Sequence, residues 1–274
     1  MTLSDLVKFD LHTHHYRCGH ATGSIEDYVK QAIKYGLQYI GISDHSPYFY
    51  SEEDQLYPGI AMSKNEFPDY ILEVLDLKQK YQDKIHVLLG IESDYFPNYQ
   101  ELYRDQFSAY PFDYIIGSVH YVDDINIFNK GRWEGLTTAQ QIKVKENYYS
   151  LIEKSAKSNM FQILGHIDAM KGFYPEFSDI KTDVIDHTLK IIGEKDIAVE
   201  INTSGKTKDC GGWYPSQEIL ERALFHKVHV TFGSDAHTPQ RIADDFELVR
   251  KKLKEIGYKE WAYFVQRERY LTKL

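Results

Sequence analysis

Short apolar runs alternate with longer amphipathic stretches along almost the whole chain. The runs are rich in Val, Ile, Leu and Phe and are bounded by Gly or a polar residue, which is typical of buried parallel strands. The longer stretches carry apolar residues at helical spacing, and the first begins at Ser24, a predicted N-cap, and ends at Gly36. The seven predicted strands lie at about 7–11, 39–42, 85–91, 114–119, 162–164, 198–201 and 228–232.

Helices are predicted between these strands, so the fold class is α/β. Parallel strands joined by helical crossovers form a doubly covered sheet or a closed barrel, and seven regular units favour a barrel one unit short of the usual eight. Two segments depart from the alternation of strands and helices. Residues 46–66 are predicted as a long loop over the functional site described below, and residues 262–270 as an edge or capping strand. The remaining predicted helices lie at about 69–81, 99–109, 138–158, 183–194, 216–225 and 243–256.

Composition restricts the class of protein. The 274 residues show no linker, repeat or low-complexity tract, and a hydrophobic content of 42% is ample for one core, so residues 1–274 are predicted to form a single domain. The net charge of −9 argues against nucleic acid as a partner, because nucleic-acid phosphates require Lys and Arg clusters, but not against a small phosphorylated substrate. Two cysteines, no signal peptide and no membrane span predict a cytoplasmic protein without a membrane partner. The oligomeric state stays open.

Metal-ligand side chains follow the predicted strands. His12 and His14 alternate along one strand end and therefore project from the same face. The C-terminal ends of barrel strands meet on one face of the molecule, so ligands at these positions are expected to converge there. One ion takes three or four protein ligands, and nine candidates therefore predict two to three divalent ions. The nine are His12, His14, His20, His45, Glu92, His120, His166, Asp235 and His237.

Each candidate alone has an ordinary structural interpretation. His20 would be a surface histidine, and His120 and His166 would be core histidines with satisfied hydrogen bonds. At the third strand, Asp94 is a weaker alternative to Glu92 on the same face. Nine such residues together favour a metal site, and the ligand set leaves its ion open among zinc, iron and manganese. Polar residues predicted to support the ligands are Asp10, Asp44, Asp168, Glu200 and Asn202.

The chain resembles the polymerase and histidinol phosphatase (PHP) family of metal-dependent phosphoesterases in seven motifs, which occur in the family's order: HTH, SDH, GIE, GSVH, GHID, EINTSG and GSDAH. The resemblance implies a distorted (β/α)7 TIM-like barrel with a trinuclear metal site at the C-terminal ends of its strands. By motif, one ion would be held by His12, His14, Glu92 and Asp235, a second by Glu92, His120 and His166, and the third by His20, His45 and His237.

Within this family, the chain resembles the stand-alone histidinol-phosphate phosphatase branch in its length and in the pattern HTHHYRCGHATGS. This resemblance implies hydrolysis of L-histidinol phosphate to L-histidinol and phosphate, a step of histidine biosynthesis, by hydroxide that the metal ions activate. A single in-line displacement without a phosphoenzyme is expected, since no Cys-x5-Arg loop is visible near Cys18 or Cys210.

Further side chains are predicted to act in the reaction. His45 and Glu92 would act through the metal ions, and Asp168 would protonate the leaving oxygen or orient a ligand. Cationic side chains in the same loops would bind the phosphate, with solvated loop charges as the alternative interpretation. These candidates are Arg17, Lys171 and Lys206. The loop 46–66 is acidic and aromatic and would accept the ammonium and imidazole groups of histidinol phosphate through Glu52, Glu53, Asp54 and Tyr57.

Other functions remain open at this point. A PHP-type phosphoesterase could instead act on a phosphotyrosine protein, a nucleotide or an oligonucleotide, although the net charge of −9 counts against long nucleic acids. An amidohydrolase is disfavoured, because such enzymes often carry a carboxylated Lys at the end of a middle strand, where this chain has Glu92. A third alternative is a metal-dependent binding or regulatory barrel that catalyses no reaction, and an activity assay distinguishes it from an enzyme.

Overall fold

The structure is a computed structural model that describes residues 6–274. Its strands are β1 (Phe9–Asp10), β2 (Tyr39–Ile42), β3 (His86–Leu89), β4 (Glu92–Asp94), β5 (Ile116–Ser118), β6 (Tyr121–Val122), β7 (Ile125–Asn126), β8 (Ile163–Leu164), β9 (Ala198–Asn202), β10 (His229–Gly233), β11 (Glu260–Val265) and β12 (Glu268–Lys273). Its α-helices are α1 (Ile25–Tyr35), α2 (Phe67–Lys80), α3 (Gln100–Ser108), α4 (Thr138–Lys157), α5 (Val184–Glu194), α6 (Gln217–Phe225) and α7 (Phe246–Ile256). Among residues 6–274, no helix combines the length and the apolar character needed to cross a bilayer.

Eight of the strands form two parallel sheets, in the orders β1-β2-β3 and β10-β9-β8-β5-β4. The two sheets contact each other at two places. The Leu11 amide after β1 donates to the Phe232 carbonyl in β10 (3.2 Å), and His45, which follows the central strand β2, pairs with Glu92 at the start of β4 in a parallel bridge. Because the pairing is parallel throughout, the C-terminal ends of these strands lie at one end of the molecule. The alternation of strands and helices confirms the predicted α/β class.

The helix signals in the sequence act as predicted. The Ser24 hydroxyl accepts from the Asp27 amide, the Asp27 carboxylate accepts from the Ser24 amide (2.8 Å), and α1 ends at Gly36 with a positive φ of 84°. Thr137 and Gln140 form the same reciprocal cap at the start of α4. Such caps satisfy amides that have no partner inside the helix. The segment 46–66 contains neither helix nor strand, as predicted.

The structure corrects two predicted strands and adds a hairpin. The predicted strand 85–91 divides at Gly90, whose carbonyl accepts from the Tyr70 hydroxyl (2.6 Å), and β3 and β4 then pair in different sheets. The predicted strand 262–270 is an antiparallel hairpin, β11 and β12, which turns at Gln266 and Arg267 with φ of 51° and 65°. The hairpin of β6 and β7 was not predicted.

A buried tyrosine, Tyr114, supports the backbone on which the first predicted ligands lie. Its hydroxyl donates to the carbonyl of Leu11 (2.5 Å), the residue before His12. A methyl group added at Gly41 or Gly90 would overlap the Tyr114 phenol. Glycine at both positions therefore makes room for the ring that holds the chain at His12.

Candidate metal centre

All nine predicted ligands lie at the end of the molecule to which the parallel strands point. Two of them, His166 and Asp235, have positive φ (24° and 52°), a conformation that costs free energy for residues other than glycine and that is frequent at functional sites. By element, His12, His14 and His20 follow β1, His45 follows β2, Glu92 begins β4, His120 follows β5, His166 follows β8, and Asp235 and His237 follow β10.

Glu92 occupies the middle of the group. It is buried, and each of its carboxylate oxygens faces a different set of imidazole nitrogens. The Oε2 atom lies 2.9 Å from His45 Nδ1, 3.3 Å from His12 Nε2 and 3.5 Å from His14 Nε2, and Oε1 lies 2.9 Å from His166 Nε2 and 3.7 Å from His120 Nε2. Because its oxygens serve two separate sets, this carboxylate has the geometry of a bridge between two cations.

The remaining candidates lie on the side of His14. The Asp235 Oδ1 atom is 3.0 Å from His14 Nε2 and 3.5 Å from His237 Nδ1. His20 Nε2 is 2.8 Å from His237 Nε2, and the rings of His14 and His45 stack with their centroids 4.2 Å apart. Side chains from both ends of the chain therefore form one continuous cluster.

The cluster fits divalent metal ions. Four of its buried atoms have no hydrogen-bond partner within residues 6–274: Nε2 of His12, Nε2 of His14, Nδ1 of His166 and Oε2 of Glu92. An unpaired buried polar atom is costly, and a bound cation would satisfy it. Three groups composed only of the nine candidates bring one ligand atom from each member within 4.8 Å of one another: His12 with His14 and Asp235, His14 with His45 and His237, and His45 with Glu92 and His120.

Three further carboxylates contact the outer nitrogens of the imidazole rings. Partners of this kind set the orientation of a metal-binding histidine and the nitrogen that carries its proton. Glu200 and Asp44 were predicted in this role. Asp94 was predicted as an alternative to Glu92, but its carboxylate contacts the outer nitrogen of the His120 ring. The distances are 2.5 Å from Glu200 Oε1 to His12 Nδ1, 3.1 Å from Asp44 Oδ1 to His14 Nδ1, and 3.1 Å from Asp94 Oδ1 to His120 Nδ1.

One small side chain contacts the cluster, and a second lies near it. The Ser118 hydroxyl donates to Glu92 Oε1 (2.6 Å). Sequence reasoning missed Ser118, although its place two residues before the candidate ligand His120 puts it on the same strand face. The Cys18 sulfur lies within 4.8 Å of ligand atoms of His14 and Asp44, but burial raises the pKa of the thiol and disfavours the thiolate that binds metal.

Comparison with known protein families tests whether the chain belongs to the family that its motifs suggested. The PHP domain model matches residues 10–204, the stretch that carries seven of the nine candidate ligands. The chain belongs to the PHP family. This confirms the resemblance seen in the sequence.

Relatives within the PHP family cover most of this chain. It is 28% identical to a probable histidinol-phosphatase from Deinococcus radiodurans, over 90% of this chain and 93% of that protein. It is 30% identical to a probable histidinol-phosphatase from Schizosaccharomyces pombe, over 88% of this chain and 83% of that protein. Its fold is similar to that of the histidinol phosphate phosphatase from Lactococcus lactis complexed with zinc, L-histidinol and phosphate, with a TM-score of 0.79, 21% identity, and coverage of 96% and 98%.

Protons compete with metal ions at this PHP-family centre. Burial lowers the pKa of His12, but the charges of three neighbouring carboxylates outweigh burial and raise the pKa well above its ordinary value. Burial is outweighed in the same way at His14 and His120, where hydrogen bonds and charges of aspartates raise the pKa to about 9. Burial and neighbouring histidines lower the pKa of His20 to about 4, and burial with the charge of a neighbouring histidine lowers that of His237 to about 3.

We expect the zinc affinity of this centre to rise with pH. Neutral imidazole is the form that binds metal, and in the metal-free protein His14 and His120 keep their protons up to a pKa of about 9. Raising the pH from about 6.5 to 9 removes these competing protons, so the affinity should rise about tenfold per pH unit for each proton displaced. Competition with a chelator of known affinity at several pH values measures this slope. A constant affinity over the range would contradict the expectation.

The predicted general acid, Asp168, is part of a separate buried network. Its Oδ2 accepts from Lys171 Nζ (2.8 Å) and from the Ser216 amide (2.9 Å). In the described part of the chain, no hydrogen bond or ion pair joins Asp168 to any of the nine candidate ligands. The roles of Asp168 and Lys171 in the reaction therefore stay predictions.

The other two candidate phosphate-binding residues have acidic partners. Arg17 Nη2 lies 2.7 Å from the Glu73 carboxylate on α2, while its Nη1 is buried and has no hydrogen-bond partner within residues 6–274. Lys206 Nζ lies 3.2 Å from Asp244 and 2.8 Å from Asp245 at the protein surface. Both assignments stay predictions, and the geometry is more favourable for Arg17, because one of its nitrogens has no partner.

Proposed function

We propose that this chain is a metal-dependent histidinol-phosphatase, which hydrolyses L-histidinol phosphate to L-histidinol and phosphate in histidine biosynthesis. Its cofactors are two to three zinc, iron or manganese ions, and the nine clustered side chains are their ligands. The observation that carries the proposal is the convergence of these side chains around Glu92. Relatives that bear the name histidinol-phosphatase support the substrate, as does the zinc, L-histidinol and phosphate complex of the Lactococcus lactis protein.

The scaffold of this site is, in our proposal, a distorted (β/α)7 barrel in a single domain of residues 1–274, of which the first five lie outside the described part of the chain. Two contacts between the sheets support closure. Thr13 pairs with Ala236 beside the Leu11 to Phe232 hydrogen bond, which joins the chain after β1 to β10, and His45 after β2 bridges to the start of β4. We also propose a cytoplasmic location, and the free thiols of the two cysteines support a reducing compartment.

The chain's own residues would position the ions and the substrate. When bound, the ions would lower the pKa of water and neutralise the phosphoryl oxygens. Glu92 would contact one ion through each oxygen, and its pKa lies well below the ordinary value because the charges of His12 and His45 outweigh burial, so that it is a carboxylate at neutral pH. Arg17 would bind a phosphoryl oxygen through Nη1, with Lys171 and Lys206 as further candidates.

Asp168 has two proposed roles. It would protonate the leaving oxygen, or it would orient neighbouring groups. Its ion pair with Lys171 (2.8 Å) and its hydrogen bond to the Ser216 amide support the orienting role, because both partners hold one oxygen of a buried carboxylate in place.

Phosphate release from L-histidinol phosphate tests the proposal. Protein treated with a chelator is expected to be inactive, and addition of zinc, manganese or ferrous iron should restore turnover. Hydrolysis is also measured with substrates of the alternative functions: a phosphotyrosine peptide, a nucleoside monophosphate, a short oligonucleotide and an N-acyl amino acid. We expect the highest kcat/KM for L-histidinol phosphate. A higher kcat/KM for another compound would contradict the proposed substrate. Turnover that survives complete metal removal would exclude the metal-dependent mechanism.

A further inference from the structure

A cavity of about 420 Å³ opens beside the metal centre. We define the tyrosine–aspartate pocket by six of its lining residues: Tyr50, Tyr57, Asp94, Tyr121, Asp123 and Asp124. Tyr121 directly follows the candidate ligand His120, and the Asp94 carboxylate accepts from the His120 amide (2.9 Å). Pockets for small ligands commonly have about 300–1,000 Å³. The cavity is therefore large enough for the organic part of a substrate whose phosphate is held at the metal centre.

The charge of the tyrosine–aspartate pocket is negative. Its lining contains three aspartates and no Lys, Arg or His. Asp123 and Asp124 form the turn between β6 and β7, with φ of 53° and 60°, a conformation that Asp and Asn adopt more readily than most residues. Among residues 6–274, the Asp123 carboxylate accepts only from the Asn147 amide group (3.1 Å), and Asp124 makes no side-chain hydrogen bond or ion pair. Both carboxylates can therefore accept hydrogen bonds from a cation.

The walls of the pocket are aromatic. The rings of Tyr57 and Tyr121 are nearly parallel, with an angle of 19° and centroids 6.4 Å apart, and Tyr50 stacks on Tyr99 at 5.0 Å. Burial raises the pKa of Tyr50 to about 12 and raises that of Tyr121, so these phenols are neutral at physiological pH. Neutral aromatic faces attract cations and stack on planar rings.

We propose that the tyrosine–aspartate pocket binds the cationic alcohol part of the phosphate monoester, that is, the ammonium and imidazole groups of L-histidinol, and so selects the substrate. This inference rests on the function proposed above. It moves the recognition site away from the acidic residues that the sequence suggested, because Glu52, Glu53 and Asp54 do not line the cavity. Of that group, only Tyr57 lines it. Uncharged or anionic alcohols would lose the contacts with the aspartates and the tyrosine faces.

The double variant D123N/D124N tests the assignment, because Asn keeps the size and the turn conformation but removes the charge. The KM for L-histidinol phosphate is expected to rise about 10- to 100-fold, since hydrogen bonds between charged groups are replaced by neutral ones. The KM for n-butyl phosphate, whose alcohol part is uncharged, should change less than about twofold. The matched control is E52Q/E53Q, which removes two acidic charges outside the pocket and should leave both KM values unchanged.

Calorimetric binding of L-histidinol alone separates this inference from the proposed function, since binding needs no turnover. An unchanged KM for L-histidinol phosphate in D123N/D124N, an equal loss with n-butyl phosphate, or a larger effect of E52Q/E53Q would each overturn the pocket assignment. If the unaltered chain fails to hydrolyse L-histidinol phosphate but binds L-histidinol, and D123N/D124N weakens that binding, the proposed reaction fails and the pocket assignment stands.

Discussion

Replacement of Glu92 by Gln is expected to lower the rate of phosphate-ester hydrolysis at least about 1,000-fold, because the loss of one charged bridge removes several kcal/mol of stabilisation from the metal centre. Gln keeps the shape of Glu92 but carries no charge, and its amide nitrogen cannot bind a cation. The two oxygens of Glu92 lie 2.9 Å from nitrogens of His45 and His166, so both sides of the cluster would be affected. Steady-state kinetics together with elemental analysis of bound metal measure the effect.

The matched control for this change is E101Q. Glu101 lies on α3, its side chain is 80% exposed, and its contact is a surface ion pair with Arg104. Because such pairs contribute little, E101Q should keep the activity and the metal content of the unaltered chain. Metal content that stays complete in E92Q, with activity above a tenth of normal, would show that Glu92 does not bridge the ions.

Gly41→Ala is expected to destabilise the protein by about 3 kcal/mol or more, which is at the upper end of single-residue effects. The added methyl group would overlap the phenol of Tyr114, and backbone atoms of Leu11 close the space on the other side. Tyr114 would have to leave the Leu11 carbonyl, and the chain at His12 would move with it. Urea denaturation of the metal-free protein measures the change in the free energy of unfolding without a contribution from bound ions.

Gly212→Ala provides the comparison for this change. Gly212 has no positive φ, and a methyl group there would be 3.9 Å from the nearest atom outside its immediate neighbours, the Cys210 carbonyl oxygen. Its effect on stability should stay within about 1 kcal/mol, since a glycine in a compatible conformation tolerates alanine. Equal stability of G41A and G212A would mean that Tyr114 adjusts without cost, against our expectation.

Local sequence signals predicted the regular elements well. The Ser24 and Asp27 cap, the glycine that ends α1 and the strand at 39–42 are properties of a few consecutive residues, and all are present in the structure. The failures have long-range causes. The division of the predicted strand 85–91 involves the Tyr70 hydroxyl, which lies 20 residues away from Gly90 in sequence.

The candidate site could also be predicted from the sequence, because it depends on where polar residues lie relative to the strands. A polar residue directly after a buried strand must lie near the end of that strand, and parallel strands end together, so the convergence of the candidates at strand ends followed from their positions. His20 lies in the loop after the first strand, and its position alone did not place it. The supporting roles of Glu200 and Asp44 were also predicted, but other contacts around the site were not. Asp94 proved to contact His120, Ser118 proved to contact Glu92, and Arg17 proved to pair with Glu73.

The chain's local patterns thus specify its α/β class, most element boundaries and the nine side chains that converge, because periodicity and caps depend on neighbouring residues. Three-dimensional packing specifies which oxygen of Glu92 faces which histidine, and which carboxylate orients each ring. It also specifies the cavity that Tyr57 and Tyr121 share across 64 positions of sequence. Those distances depend on the register and twist of strands that are remote in sequence, and no local pattern encodes them.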